Sequence, residues 1–134
     1  MLFRSQFSAV SDSDRLFRGP LRVLAELRAL EPSRRNLLRY FQFMGHLQPE
    51  FRLLLHYRDE RALWAFGMWL GLVCRFRGVW WTERRARRDF LAIRSWLHQV
   101  GVERRPGPEG RLWRELIQDL DATCGHRFDP GLAS

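Results

Sequence analysis

Lysine is absent from this sequence: all 23 basic residues are arginine. Asn36 is the single asparagine, and Ile93 and Ile117 are the only isoleucines. That set of shortages is what GC-rich coding produces, so the arginines need no nucleic-acid ligand to account for them. Against 15 acidic residues they still leave a formal charge of +8, which implies a positive surface. Guanidinium groups suit bidentate phosphate contacts. Two cysteines, Cys74 and Cys124, fifty positions apart, exclude a disulfide framework and fit a reducing compartment. No apolar run approaches the roughly 20 residues of a membrane span. No apolar h-region of a secretory signal is visible. Residues 1–10 are acid-free and faintly resemble a mitochondrial presequence, but Asp12 and Asp14 follow at once.

The signatures of chemistry are equally scarce. No glycine-rich phosphate loop, HExxH pair or nucleophile elbow occurs. His46, His56, His98 and His126 are scattered. Glu31, Glu50, Glu60, Glu83 and Asp89 stand singly, most beside arginines, as exposed helix-surface partners do. Cys124 and His126 supply half of a possible metal pair, where zinc needs four ligands. The expectation is a non-catalytic protein without a metal site or cofactor.

What the chain does contain is helix. Residues 62–74, ALWAFGMWLGLVC, carry no charge, and a helix apolar on every face must be surrounded. Asp59 is its natural N-cap, Arg75 and Arg77 suit its negative end, and Gly78 is a ready terminator. The spacing predicts a central helix over 59–77. Gly19-Pro20 predicts a helix start, with Leu21, Leu24, Leu27 and Leu30 forming its stripe over about 20–30. Further helices are expected over 33–46, 49–57, 82–100 and 109–121. Thr82 is the expected cap of the fifth helix, Gly101 its end, and residues 102–110 a polar linker. The fold class is therefore all-α: one helical domain of about six helices packed around helix 59–77. Residues 1–19 are expected to be a loosely ordered N-terminal segment, 20–121 the domain and 122–134 a tail.

The order of these features resembles the C-terminal regulatory region of fungal binuclear zinc-cluster transcription factors, including sterol-uptake-type regulators. A proline-initiated PEFRLLL precedes DERALWAFGMWLGLV; then come RFRG, the pair Trp80-Trp81, and a basic helix with a late apolar face. LRVLAELRAL looks like the helix that comes before in that family. The likeness covers about residues 20–117. Thr82-Glu83-Arg84 stands where the family often has Gly-Trp, and the six-cysteine DNA-binding cluster is absent from this sequence. The resemblance implies a regulatory domain acting in the nucleus, or failing that the cytoplasm. It implies partners in the transcription machinery or an apolar small molecule, and no direct DNA binding without a zinc cluster. Sterol-type members hold an apolar ligand in a helical pocket, which implies that Trp64, Met68, Trp69 and Trp81 line one here, although plain core packing serves the same residues.

Two further candidates come from the residues themselves. Gly67 and Gly71, four apart, share one helix face. They leave either a groove facing Trp80 and Trp81 or a close seat for a neighbouring helix. Arg84, Arg85, Arg87 and Arg88 form the one charge run. They are a solvated face, or a contact for nucleic acid or an import receptor. An arginine-rich nucleic-acid-binding protein is thus the alternative function, and a membrane-surface helix over 82–97 a third.

Overall fold

The computed structural model describes residues 7–31, 33–45, 47–75 and 80–123, with side chains from residue 16 onward except Arg34 and 80–83. Those residues form six α-helices: α1 Phe7–Ala29, α2 Leu37–Gly45, α3 Pro49–His56, α4 Glu60–Val73, α5 Trp80–Val100 and α6 Gly107–Thr123. Short 3-10 turns at Arg34–Asn36 and Val102–Arg104 complete them, and there is no strand among the described residues. The fold is all-α, as the periodicity predicts. Helix α4 is its axis: each of the other five helices packs against it. Nine of its fourteen residues are buried, which is what a helix without a polar face requires.

The start of α4 is built by two capping motifs in succession. Helix α3 ends in a Schellman arrangement, with Asp59 N–H on Leu54 O at 2.8 Å and Arg58 N–H on Leu55 O at 3.1 Å. Arg58 takes the left-handed conformation, φ +58°, that glycine usually fills. Asp59 then caps α4, its carboxylate accepting from Ala62 N–H at 2.9 Å. At the far end α4 stops at Val73, four residues before the expected Arg77. Cys74, buried as expected, is the C-cap, and Arg75 N–H closes onto Leu72 O in a tighter i to i−3 bond. The expected terminator Gly78 lies outside the described residues.

Three boundaries differ from expectation. Helix α1 does not begin at Pro20; it begins at Phe7 and runs through Gly19-Pro20. Residues 7–19, expected to be loose, are helical, and Phe17 is in the core, its ring 5.5 Å from Phe51 in edge-on contact. Tertiary burial outweighs the hydrogen bond that Pro20 forgoes. Helix α5 starts at Trp80, so Thr82 is inside it and is not its cap. The linker 102–110 is largely ordered: Gly101, at φ +80°, ends α5 as predicted, Val102 is fully buried, and α6 is under way from Gly107. Residues 1–6 and 124–134, which include Cys124 and His126, lie outside the described residues.

Two arginine-centred clusters, unforeseen from the sequence, fasten α5 and α6. Arg94 is 6% exposed and reaches Asp121 at 2.8 Å and Glu103 at 3.4 Å. Arg105 joins Glu60 at 2.6 Å and Glu109 at 3.0 Å, tying the start of α6 to the start of α4. The hydrogen bond that Arg105 donates to the Glu60 carboxylate holds its guanidinium above its ordinary pKa, so it stays charged. Spacing reveals only the Arg105–Glu109 pair, four positions apart; the other ties join residues 9, 27 and 45 positions apart.

Candidate functional site

The two sides of α4 are covered differently. At about 100° per residue, Trp64, Gly67, Met68 and Gly71 form one side, and Phe66, Trp69, Leu70 and Val73 another. The first is closed. A Cβ on Gly67 would come within 3.2 Å of Leu120 and 3.3 Å of Ile93. A Cβ on Gly71 would collide with the Thr123 side chain and lie 3.2 Å from Phe90. Trp64 donates its indole N–H to Leu116 O at 2.8 Å, and Met68 is buried. The expected groove at Gly67 and Gly71 is therefore filled by α5 and α6. The second reading of the glycine pair, a seat for a neighbouring helix, is the one the packing shows. Trp64, Gly67, Met68 and Gly71 are not among the residues that line the apolar cleft.

The other side is also largely covered, with Trp69, Leu70 and Val73 buried, but among the described residues it keeps a cleft. An apolar cleft of about 290 Å³ has Phe66, Trp69, Leu70 and Val73 as its floor. Phe41 of α2 forms one wall, and Arg85, Ala86 and Asp89 of α5 the other. The pocket-lining set implied by the resemblance contains one of these residues, Trp69. The side chains of Trp80 and Trp81, which were expected to face the site, lie outside the described residues.

Trp69 is fixed from three directions. Its indole N–H donates to Tyr40 O at 2.7 Å. Its ring stacks on Phe43 at 5.6 Å and 18°, and meets Phe41 edge-on at 6.2 Å. Such aromatic pairs contribute about 0.5–1.5 kcal/mol each beyond their buried area, so the floor is preformed. Tyr40 in turn is fully buried, and its hydroxyl is shared between Leu27 O and Leu30 O, each at 2.9 Å. Burial pushes its phenol above the ordinary value of 10.0, against the opposing charge of Arg75. The sequence singled out Trp69 as an aromatic of the central helix, but gave Phe66 and Val73 no functional reading and placed Phe41 in the core of helix two.

Arg84, Arg85, Arg87 and Arg88 are all exposed. On a continuous helix they span an arc of about 160°, with Arg85 at the cleft and Arg87 at the far edge. The carboxylate nearest to them in the described structure is Asp89, 3.8 Å from Arg88. A second, polar cleft of about 380 Å³ lies where α1, α4 and α6 end, lined by Arg28, Arg75 and Thr123 among others. Its arginines sit at the negative ends of helices, a placement that the helix dipoles account for.

Among the described residues no three of His, Cys, Asp and Glu gather closely enough to hold a metal ion. Nor, among them, is any helix long and apolar enough to cross a membrane. Comparison with family models, with curated proteins and with solved structures finds no match for this chain.

Proposed function

We propose that this chain is a non-catalytic regulatory module that takes an apolar group into the cleft over Trp69. The observation that carries the reading is an apolar cleft over a braced aromatic floor, on a central helix whose glycines are closed over by α5 and α6. A cleft of about 290 Å³ falls just below the usual range of ligand sites, about 300 to 1,000 Å³. That size favours an occupant smaller than a sterol. The likeness to the regulatory region of zinc-cluster factors supports a role in control of transcription, in the nucleus, exercised through that occupant.

The test uses naphthol as a small apolar probe, followed by saturation-transfer NMR. Parent protein is expected to bind it, and Ala86→Leu, which fills the cleft from α5, to bind it at least about tenfold more weakly. A folded Ala86→Leu protein that binds naphthol as the parent does would reject the cleft as the site. Fused to a heterologous DNA-binding domain, the chain is expected to change reporter transcription in a way that Ala86→Leu alters. A reporter indifferent to that substitution would reject the regulatory role.

A further inference from the structure

Coding bias explains how many arginines this chain has, not where they stand. Arg84, Arg85, Arg87 and Arg88 follow one another on α5, and all four are exposed. Arg84 and Arg88 are four apart, and Arg85 and Arg88 three apart, spacings at which like charges on a helix repel. Arg94 and Arg105 are neutralised by carboxylates, and Arg28 and Arg75 sit at negative helix ends. The α5 cluster is short of both. Residues 83–89, ERRARRD, set four arginines against two carboxylates, so positive charge is in excess whatever pairs form. Asp89 comes within 3.8 Å of Arg88, but the two side chains are 42% and 77% exposed, and such a contact is worth little.

The outer side of α5 suits a polyanion. Arg85 and Arg87 mark the two edges of the arc, with Arg84 and Arg88 between them. Further along the same side come Ala92, Ser95 and Gln99, small or polar residues that add no acid and permit close approach. From Arg84 to Gln99 this strip runs about 22 Å. None of the exposed large apolar side chains described lies on it, so it has no anchor for a protein partner. The apolar side of α5, with Ala86, Phe90 and Leu97, is buried against the domain and is not free to enter a membrane surface. What remains is a row of guanidinium groups, whose natural partner is phosphate.

We propose that the outer side of α5 is a docking surface for double-stranded DNA. A helix about 10–12 Å across enters a B-form major groove about 12 Å wide. Arg85 and Arg87, on opposite edges of the arc, meet phosphates of the two strands that wall the groove. Arg84 and Arg88 face the groove between them. The deep, narrow major groove of an RNA duplex does not admit such a helix. The surface stands apart from the cleft reading, since Arg84, Arg87 and Arg88 do not line the cleft. It is also a contact that the resemblance to zinc-cluster factors does not imply.

The probe is a fluorescein-labelled DNA duplex of mixed sequence, two helical turns or about 20 base pairs long, followed by fluorescence anisotropy. The full-length chain is expected to bind it with a log affinity that falls linearly with log salt. Arg85→Gln and Arg87→Gln are each expected to lower that slope by about 0.9, the share of one phosphate. Glutamine at all four α5 positions should weaken binding at least about tenfold. A charge-matched control with glutamine at the exposed Arg18, Arg22, Arg39 and Arg111 should weaken it less than about threefold. The α5 variant should melt no lower than the parent, because like-charge repulsion is relieved. Equal losses in the two variants would make binding an effect of net charge and overturn the proposal. A lowered melting temperature would assign the arginines to holding the helix and overturn it as well. So would an RNA duplex bound as tightly as the DNA, or phosphatidylserine vesicles bound more tightly.

Discussion

The glycine-bearing side of the central helix and its aromatic side differ in how they meet their neighbours. On the glycine side, the absence of a Cβ at Gly67 and Gly71 is used up by Leu120, Ile93, Thr123 and Phe90. On the aromatic side, Phe66, Trp69, Leu70 and Val73 are large, yet the helices flanking them leave about 290 Å³ between. Small residues thus mark the place where backbones approach. Large ones, braced by each other and by one hydrogen bond, hold a cleft open. A reading that looks for a pocket where side chains are missing searches the wrong side of such a helix.

Bulk added to each side should separate them most sharply. Gly71→Leu is expected to abolish cooperative folding, because the added side chain collides with Thr123 and Phe90 and the strain exceeds the usual 1–3 kcal/mol of overpacking. Ala86→Leu, at a buried site whose side borders the cleft, should cost less than Gly71→Leu, about 1–3 kcal/mol, because the cleft takes up part of the added bulk. Thermal melting of the two variants measures both. Similar melting temperatures would mean that the two sides are not differently packed.

The fastening of the closed side gives the next largest effect. Arg94→Met leaves Asp121 and Glu103 without their shared cation. Those side chains are about one-third exposed (27% and 30%), so water offsets part of the loss. The expected cost is about 2–3 kcal/mol, below the 3–5 kcal/mol of a fully buried pair. Urea unfolding tests it, and a cost under about 0.5 kcal/mol would show that α5 and α6 are held by apolar packing alone.

The cleft side depends on Tyr40, which positions α2 and, through its carbonyl, Trp69. Tyr40→Phe should cost about 1–2 kcal/mol at neutral pH, the worth of a buried hydrogen bond with its acceptors left unpaired. Because the folded phenol titrates above 10.0, the folded state holds its proton after the unfolded state has released it. The stability linked to it is therefore complete below pH 10 and falls as the pH rises above that value. Tyr40→Phe should lack this alkaline decline. Unfolding free energies at pH 8 and pH 11 for parent and variant check the sign, and identical declines would acquit Tyr40.

Much of the fold was legible because it rests on local signals. Asp59, Pro49 and Gly101 act as read, and the uncharged run at 62–74 names the axis of the domain. What escaped was decided by tertiary contacts. Pro20 reads as a helix start, yet Phe17 against Phe51 carries the helix past it. The site was half legible for a physical reason. Helix α4 is apolar all round, so periodicity identifies the helix without telling which side is covered. That choice belongs to α2, α5 and α6, whose positions over α4 no spacing within residues 60–73 encodes.

Pro20 gives one of these helices a built-in seam. A proline has no N–H to give, so the Leu16 carbonyl one turn earlier cannot receive the bond that would carry the ladder across. The part of α1 before the seam is anchored to the body through Phe17, whose ring packs on Phe51 and lies 4.8 Å beneath the Arg61 guanidinium. The part after it carries Leu24 and Leu27 in the core and the Leu27 carbonyl that Tyr40 holds. In amide hydrogen exchange the one helix should therefore report two opening free energies. The amides before Pro20 should exchange from a smaller, local opening, and those around Leu27 only when the whole domain unfolds.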